Sequence, residues 1–143
     1  MTLELQHISK SYDGLPVLKN LNLSFHQGQC YCLMSPSGSG KTTLLRILMG
    51  LEQPDQGMVL AGGKPQDMNS LTVSAVFQED RLCPQLTALQ NVTLVLPGSE
   101  KQYKEQIKSD FQQLGMDDAA LTLPAARLSG GQKRRTALLR ALW

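Results

Sequence analysis

The chain carries little net charge. Its 14 basic and 12 acidic side chains leave +2 over 143 residues. That balance argues against a nucleic-acid binder held by bulk electrostatics. Cysteine is scarce and odd in number: Cys30, Cys32 and Cys83, with no second C-x-x-C pair. This argues against a disulfide framework or a zinc site. No apolar run approaches the roughly 20 residues that span a bilayer, so any membrane role must come through a partner. The N-terminus, Met1-Thr-Leu-Glu-Leu-Gln, has neither the basic flank nor the apolar h-region of a secretory signal. Internal repeats and low-complexity tracts are absent as well.

What is present is ordinary for a globular protein: 41% apolar and 18% charged residues, with enough length for one core. Leu3 and Leu5 alternate with polar neighbours and predict a half-buried strand over Thr2–Ile8. Ser11–Pro16 reads as a turn. Leu21, Leu23 and Phe25 predict a second strand with one wet face. Gln29–Met34 is an apolar run that predicts a third. Cys30 and Cys32 alternate on it and are expected as buried thiols on one face; an oxidation-sensitive pair is the alternative. Lys41–Leu51 has a helical apolar pattern, and Met58–Ala61 reads as a short strand stopped by Gly62-Gly63. Val73–Phe77, apolar and β-branched, reads as a buried strand ending at Gln78. From Thr87 to Leu142 the pattern turns helical. Tyr103, Ile107, Phe111 and Leu114 form one stripe, Gly115 suits a helix C-cap, and Ser129 suits the N-cap of a last helix running to about Leu142. Within it Lys133-Arg134-Arg135 reads as a solvated face.

The stretch Ser35-Pro36-Ser37-Gly38-Ser39-Gly40-Lys41-Thr42-Thr43 lies between an expected strand and an expected helix. That is the context a phosphate-binding loop G-x-x-x-x-G-K-[ST] requires. Gly38 and Gly40 let the backbone bend into a cradle of N–H groups, and the helix adds its positive end. Lys41 supplies an ammonium for the β- and γ-phosphates, and the Thr42 hydroxyl is suited to Mg²⁺. Ser35 stands where the pattern has its first glycine, and serine does not freely take a positive φ. A second anion-type site follows downstream. In Leu128-Ser129-Gly130-Gly131-Gln132, small residues again expose N–H groups at a helix N-terminus.

With both motifs in one short chain, the sequence resembles the nucleotide-binding subunits of ATP-binding cassette (ABC) transporters. Leu128–Gln132 matches the family's signature motif. Tyr12, ahead of Gly14 and Val17, matches the aromatic that stacks on adenine. Gln78, in Val76-Phe-Gln-Glu-Asp80, matches the Q-loop glutamine, a second contact to Mg²⁺ or water. The wording of Phe77–Asn91 is similar to importers of the nitrate, sulfonate and taurine type. The resemblance implies an α/β P-loop fold with an antiparallel β part at the N-terminus and a helical subdomain. It implies a domain layout of about 1–78, 79–135 and 136–143. It also implies ATP and Mg²⁺ as ligands, and a head-to-tail dimer with a second nucleotide-binding subunit, identical or not. There, ATP on Ser37–Thr43 of one subunit, with Tyr12 and Val17 at the base, is closed over by Ser129–Gln132 of the other. A transmembrane permease would dock at Phe77–Asn91, which puts the chain at the cytoplasmic face of the membrane with no nucleic-acid partner.

The family's Walker B aspartate, catalytic glutamate, D-loop and switch histidine have no counterpart before Trp143. No catalytic residue is therefore assigned within this chain, and the parallel sheet is expected to be incomplete, with Gln29–Met34 and Val73–Phe77 short of a neighbour. Two readings follow: an ATPase subunit that powers solute transport in full-length form, or a non-hydrolysing nucleotide-binding fragment or interaction module. DNA-maintenance ATPases share the signature motif but insert long coiled coils, and no sustained heptads lie between Lys41 and Ser129.

Overall fold

The N-terminal alternation builds a hairpin. In the computed structural model, which describes residues 2–65 and 73–143, strand β1 (Thr2–Tyr12) pairs antiparallel with β2 (Leu15–His26). Asp13 (φ 50°) and Gly14 (φ 78°) join them. Two successive positive φ values fit a type I′ turn, whose twist matches that of the strands. The hairpin is thus tighter than the Ser11–Pro16 turn expected from sequence. On its other side β1 pairs with β3 (Gln56–Ala61), which pairs with the two-residue β4 (Lys64–Pro65). The sheet order is β2-β1-β3-β4, antiparallel throughout. Leu5 stands opposite Leu23 in one neighbour and Val59 in the other. Leu5, Ile8, Leu18 and Val59 pack with Leu44 and Ile47 of helix α1 (Lys41–Leu48) into one core.

α1 is shorter than its Lys41–Leu51 pattern. Gly50 (φ 70°) donates to the Ile47 carbonyl at 3.0 Å and Leu51 to the Arg46 carbonyl at 2.9 Å. This pair of bonds is a Schellman closure.

β1 is interrupted at His7, which has φ 55° and lies where both registers shift. Its N–H donates to Asn22 Oδ1 at 2.9 Å, and its Nδ1 lies 2.7 Å from Asn20 Oδ1. Gly57 (φ 90°) faces this bulge so closely that a Cβ there would lie 2.5 Å from the His7 carbonyl carbon and oxygen. A bulge that twists a strand and draws another backbone close requires glycine opposite it.

Two expected strands do not form. Gln29–Met34 and Val73–Phe77 have no strand assignment, and Cys30 and Cys32 are exposed rather than buried. Val73 (45%) and Val76 (43%) are likewise open. A strand is completed by a neighbour that takes up its N–H and C=O groups, and among the described residues neither segment has a ladder partner. Tyr31 instead folds back on the end of β2. Its hydroxyl accepts from the His26 N–H at 2.8 Å, and its ring meets Phe25 edge-on at 5.0 Å.

The helical pattern after Thr87 becomes α2 (Ala88–Thr93), α3 (Glu100–Gln113), α4 (Asp118–Leu121), a 3₁₀ turn (Ala125–Arg127) and α5 (Gly130–Leu142). The expected stripe is real. Ile107 and Phe111 are fully buried, with Tyr103 and Leu114 packed beside them against Val92, Leu121, Leu128 and Leu139. Each fully buried side chain of this size contributes about 1.5–3 kcal/mol. Asn91 is buried at the centre of this unit. Its Nδ2 donates to the carbonyls of Cys83 (3.1 Å), Leu86 (3.2 Å) and Thr87 (3.0 Å), and its Oδ1 accepts from the Cys83 N–H at 2.7 Å. One side chain thereby satisfies the loop entering α2. The chain divides into two units, Met1–Val73 and Ser74–Trp143. Among the described residues no helix is long and apolar enough to cross a membrane.

Candidate nucleotide-binding site

The loop before α1 is built to leave donors free. Gly40, the residue capping α1, has φ 86° and offers no side-chain cap, and the first turn holds no acidic residue. Gly38 has φ 81°. A Cβ on Gly40 would lie 2.8 Å from Leu18 Cδ2 and 2.9 Å from Val17 Cγ1. Val17 and the loop are therefore in direct packing range, and a side chain at position 40 would have to displace Leu18 and Val17 while holding a positive φ. A helix start without a carboxylate or hydroxyl cap keeps its N–H groups and positive end available to an anion. The donor set thus fits a phosphate, with Thr42 exposed on the first turn and Thr43 buried beneath it.

Lys41 curls over the loop. Its Nζ donates to the carbonyls of Ser35 (2.6 Å) and Pro36 (2.7 Å) and to Ser35 Oγ (3.3 Å). Ser35 also shares a hydroxyl contact with Ser39. Ser35 is not among the residues with positive φ, so the departure from glycine strains nothing here. Its hydroxyl links both ends of the loop. Ser37 and Ser39 are exposed on the same loop.

Tyr12 ends β1 with its ring 42% exposed. Around it lies a charged cluster that the sequence reading missed. The Tyr12 hydroxyl donates to Glu52 Oε1, and Glu52 Oε2 accepts from Arg46 Nε at 3.0 Å. Lys10 Nζ lies 3.7 Å from Glu52 and 2.9 Å from Asp55 Oδ1, and donates to the Gln53 carbonyl at 3.0 Å. Asp55 Oδ2 accepts from the Ser11 N–H at 2.7 Å. The Tyr12 hydroxyl, then Arg46 and Lys10, hold the Glu52 carboxyl below its ordinary range. Hydrogen bonds from Lys10 and Ser11 do the same for Asp55, and Asp55 raises Lys10. Nothing local signals this cluster, because Tyr12 and Glu52 are 40 positions apart.

In the second unit, Ser129 caps α5 as expected, and with a full capping box. Its Oγ accepts from the Gln132 N–H at 3.3 Å, while Gln132 Oε1 accepts from the Ser129 N–H at 2.9 Å. The box holds the Gln132 amide inward and leaves Gly130 and Gly131 bare, with open space where a Cβ would stand. Gln78 is exposed. Its carbonyl and that of Phe77 accept from the Arg134 guanidinium at 2.9 and 2.8 Å. Asp80 Oδ1, buried, lies 3.4 Å from Arg134 Nε as an ion pair without a directed hydrogen bond. Arg135 donates to the Gly115 carbonyl at 2.9 Å, and Arg140 to the Arg81 carbonyl at 2.8 Å. Arg134 and Arg135 lie exposed, as expected for a solvated face, and their guanidinium groups also satisfy the carbonyls of Phe77, Gln78 and Gly115. Among the described residues no group of three or more His, Cys, Asp or Glu forms a metal cluster. The Thr42 hydroxyl in the first unit is a neutral oxygen donor of the kind that suits Mg²⁺ when phosphate supplies the charge, and the Gln78 amide in the second unit, taken by itself, is another.

A family model described as ABC transporter matches residues 18–143. The spermidine/putrescine import ATP-binding protein PotA of Spiroplasma citri is 40% identical, over 98% of this chain and 41% of its own length. The aliphatic sulfonates import ATP-binding protein SsuB 3 of Pseudomonas syringae pv. tomato is also 40% identical, over 98% of this chain and 50% of its own. The chain thus spans about half the length, or less, of these relatives. The dimeric bacterial ABC transporter cassette MJ0796 superposes with a TM-score of 0.81 at 30% identity, covering 98% of this chain and 68% of that one. With the phosphate-type loop, the capped signature segment and these likenesses together, the chain belongs to the ABC transporter family, as part of a nucleotide-binding cassette.

Proposed function

We propose that this chain binds ATP as part of the ATP-binding subunit of an ABC transporter. What supports the reading most is the start of α1, which has no side-chain cap, no acid in its first turn, and Lys41 and two positive-φ glycines beside it. In this reading Ser35–Thr43 hold the phosphates, with Lys41 as their cation. Tyr12 and Val17 flank the base. Thr42 and Gln78 hold Mg²⁺, which would neutralise phosphate charge when bound. Ser129–Gln132 serve the nucleotide of a second nucleotide-binding subunit, and Phe77–Asn91 meet a membrane permease at its cytoplasmic face.

Within these residues the proposed activity is ATP binding at the Ser35–Thr43 loop, and a non-hydrolysing nucleotide-binding fragment is the narrower reading. Titration calorimetry of the 143-residue chain with Mg·ATP tests it. Lys41→Ala should lose ATP affinity more than tenfold, since bonds to a charged group contribute about 1.5–3 kcal/mol. Unchanged affinity would defeat the assignment. Magnesium-dependent phosphate release in a single-turnover assay would defeat the binding-only reading.

A further inference from the structure

Tyr12 is held by its hydroxyl. Its ring is 42% exposed and does not belong to the β1–β2–α1 core. Two contacts hold it: the bond from its hydroxyl to Glu52 Oε1, and Lys10 Nζ, 5.7 Å from the ring centroid. The other oxygen of that carboxylate is bound by Arg46, in the last turn of α1, at 3.0 Å. Glu52 itself is anchored: the Schellman closure at Gly50–Leu51 fixes the chain just before it, and Asp55, just after it, is tied to β1 by its N–H to the Ser9 carbonyl at 2.9 Å. One carboxylate therefore links the aromatic ring at the end of β1 to the helix whose other end carries Lys41.

We infer that Glu52 is a positioning residue for base recognition, holding the Tyr12 ring in the orientation in which a purine stacks and locking that ring to α1. The inference rests on the reading of Tyr12 as the base platform. A ring ordered before the ligand arrives gives up less rotational freedom on stacking. Glu52 bonds to Tyr12 and Arg46 and pairs with Lys10, all outside the Ser35–Thr43 loop, so its effect should be felt by the base and not by the phosphates.

The test compares two probes on the 143-residue chain: Mg·ATP, which has a base, and Mg·tripolyphosphate, which has none. Glu52→Met, which has no oxygen to accept from the hydroxyl, and Tyr12→Phe each break the bond, and Tyr12→Phe keeps the ring with no change of charge, which guards against misfolding of the other variant. Each should weaken ATP binding roughly 2- to 10-fold, the range set by ordering one side chain. The double variant should be no weaker than either single one, and tripolyphosphate affinity should not move. If Tyr12→Ala weakens ATP binding while Tyr12→Phe and Glu52→Met do not, the platform stands and the positioning role falls. If Tyr12→Ala leaves ATP binding intact, the platform reading falls and takes the inference with it. Equal losses for both probes, or additive losses in the double variant, would mark a general structural effect and overturn the role of Glu52.

Discussion

The guanidinium of Arg134 holds the carbonyl of Gln78 at 2.9 Å and, with its other arm, that of Phe77 at 2.8 Å. The helix that begins at the signature segment thereby carries the backbone of the Q-loop-like segment. The planar fork of arginine matches two adjacent carbonyls, and a lysine ammonium does not. Arg134→Ala should destabilise the chain by about 1 kcal/mol, below the usual value for charged bonds because the side chain is half exposed. Arg134→Lys should not restore it. Denaturant unfolding of the three proteins checks both expectations.

Asn91 uses its amide fully inside the helical unit, giving three bonds to carbonyls and one from an N–H. Asn91→Leu keeps much of the volume but strands the Cys83 N–H, while the carbonyls of Cys83, Leu86 and Thr87 keep the backbone N–H groups of Leu86, Ala125 and Asn91. The cost should be about 1–3 kcal/mol, the desolvation penalty of one unmet buried donor. A loss below 1 kcal/mol in thermal or urea unfolding would show that water reaches this loop.

Gly57 and Gly62 both have positive φ, 90° and 59°, yet they differ in surroundings. A methyl group at 57 meets the backbone of Gln6 and His7, while one at 62 meets open space. Gly62→Ala should cost about 1 kcal/mol from strain alone. Gly57→Ala should cost more, about 3 kcal/mol, because the β1 bulge must shift. Equal midpoints for the two variants would contradict the close approach.

The Lys10–Glu52–Asp55 cluster makes stability depend on pH. Glu52 and Asp55 are lowered from 4.5 and 3.8, so their contribution is present above those values and is lost as pH falls through the lower folded values. Lys10 is raised from 10.5, so its contribution is full below that value and is lost as pH rises through the higher folded one. Stability from this cluster should therefore hold between about pH 5 and 10 and decline on both sides. Asp55→Asn should flatten the alkaline limb and part of the acid limb in urea titrations across pH. Unchanged limbs would mean that these surface pairs contribute nothing.

How much of this was legible in the sequence depends on the range of the interaction. Ser129 and Gln132 are three positions apart, and the capping box between them follows from residue type and spacing. The same holds for the Tyr103–Leu114 stripe and for the glycines that open the α1 loop. Ser35 looked like a defect because the motif asks for glycine there. Its backbone takes no positive φ, and its hydroxyl finds Ser39 and Lys41.

By itself the sequence determined the loop, the caps, the helical stripe and the family. Each is written in contacts within a few positions, or in a motif whose spacing is fixed by backbone geometry. Only the tertiary structure decided that Tyr12 answers to Glu52, that Arg134 answers to Gln78, and that Gln29–Met34 lies open with Cys30 and Cys32 exposed. An apolar alternating run can form a strand, but it becomes one only when a second backbone takes its hydrogen bonds. That second backbone is a property of the fold, not of the run.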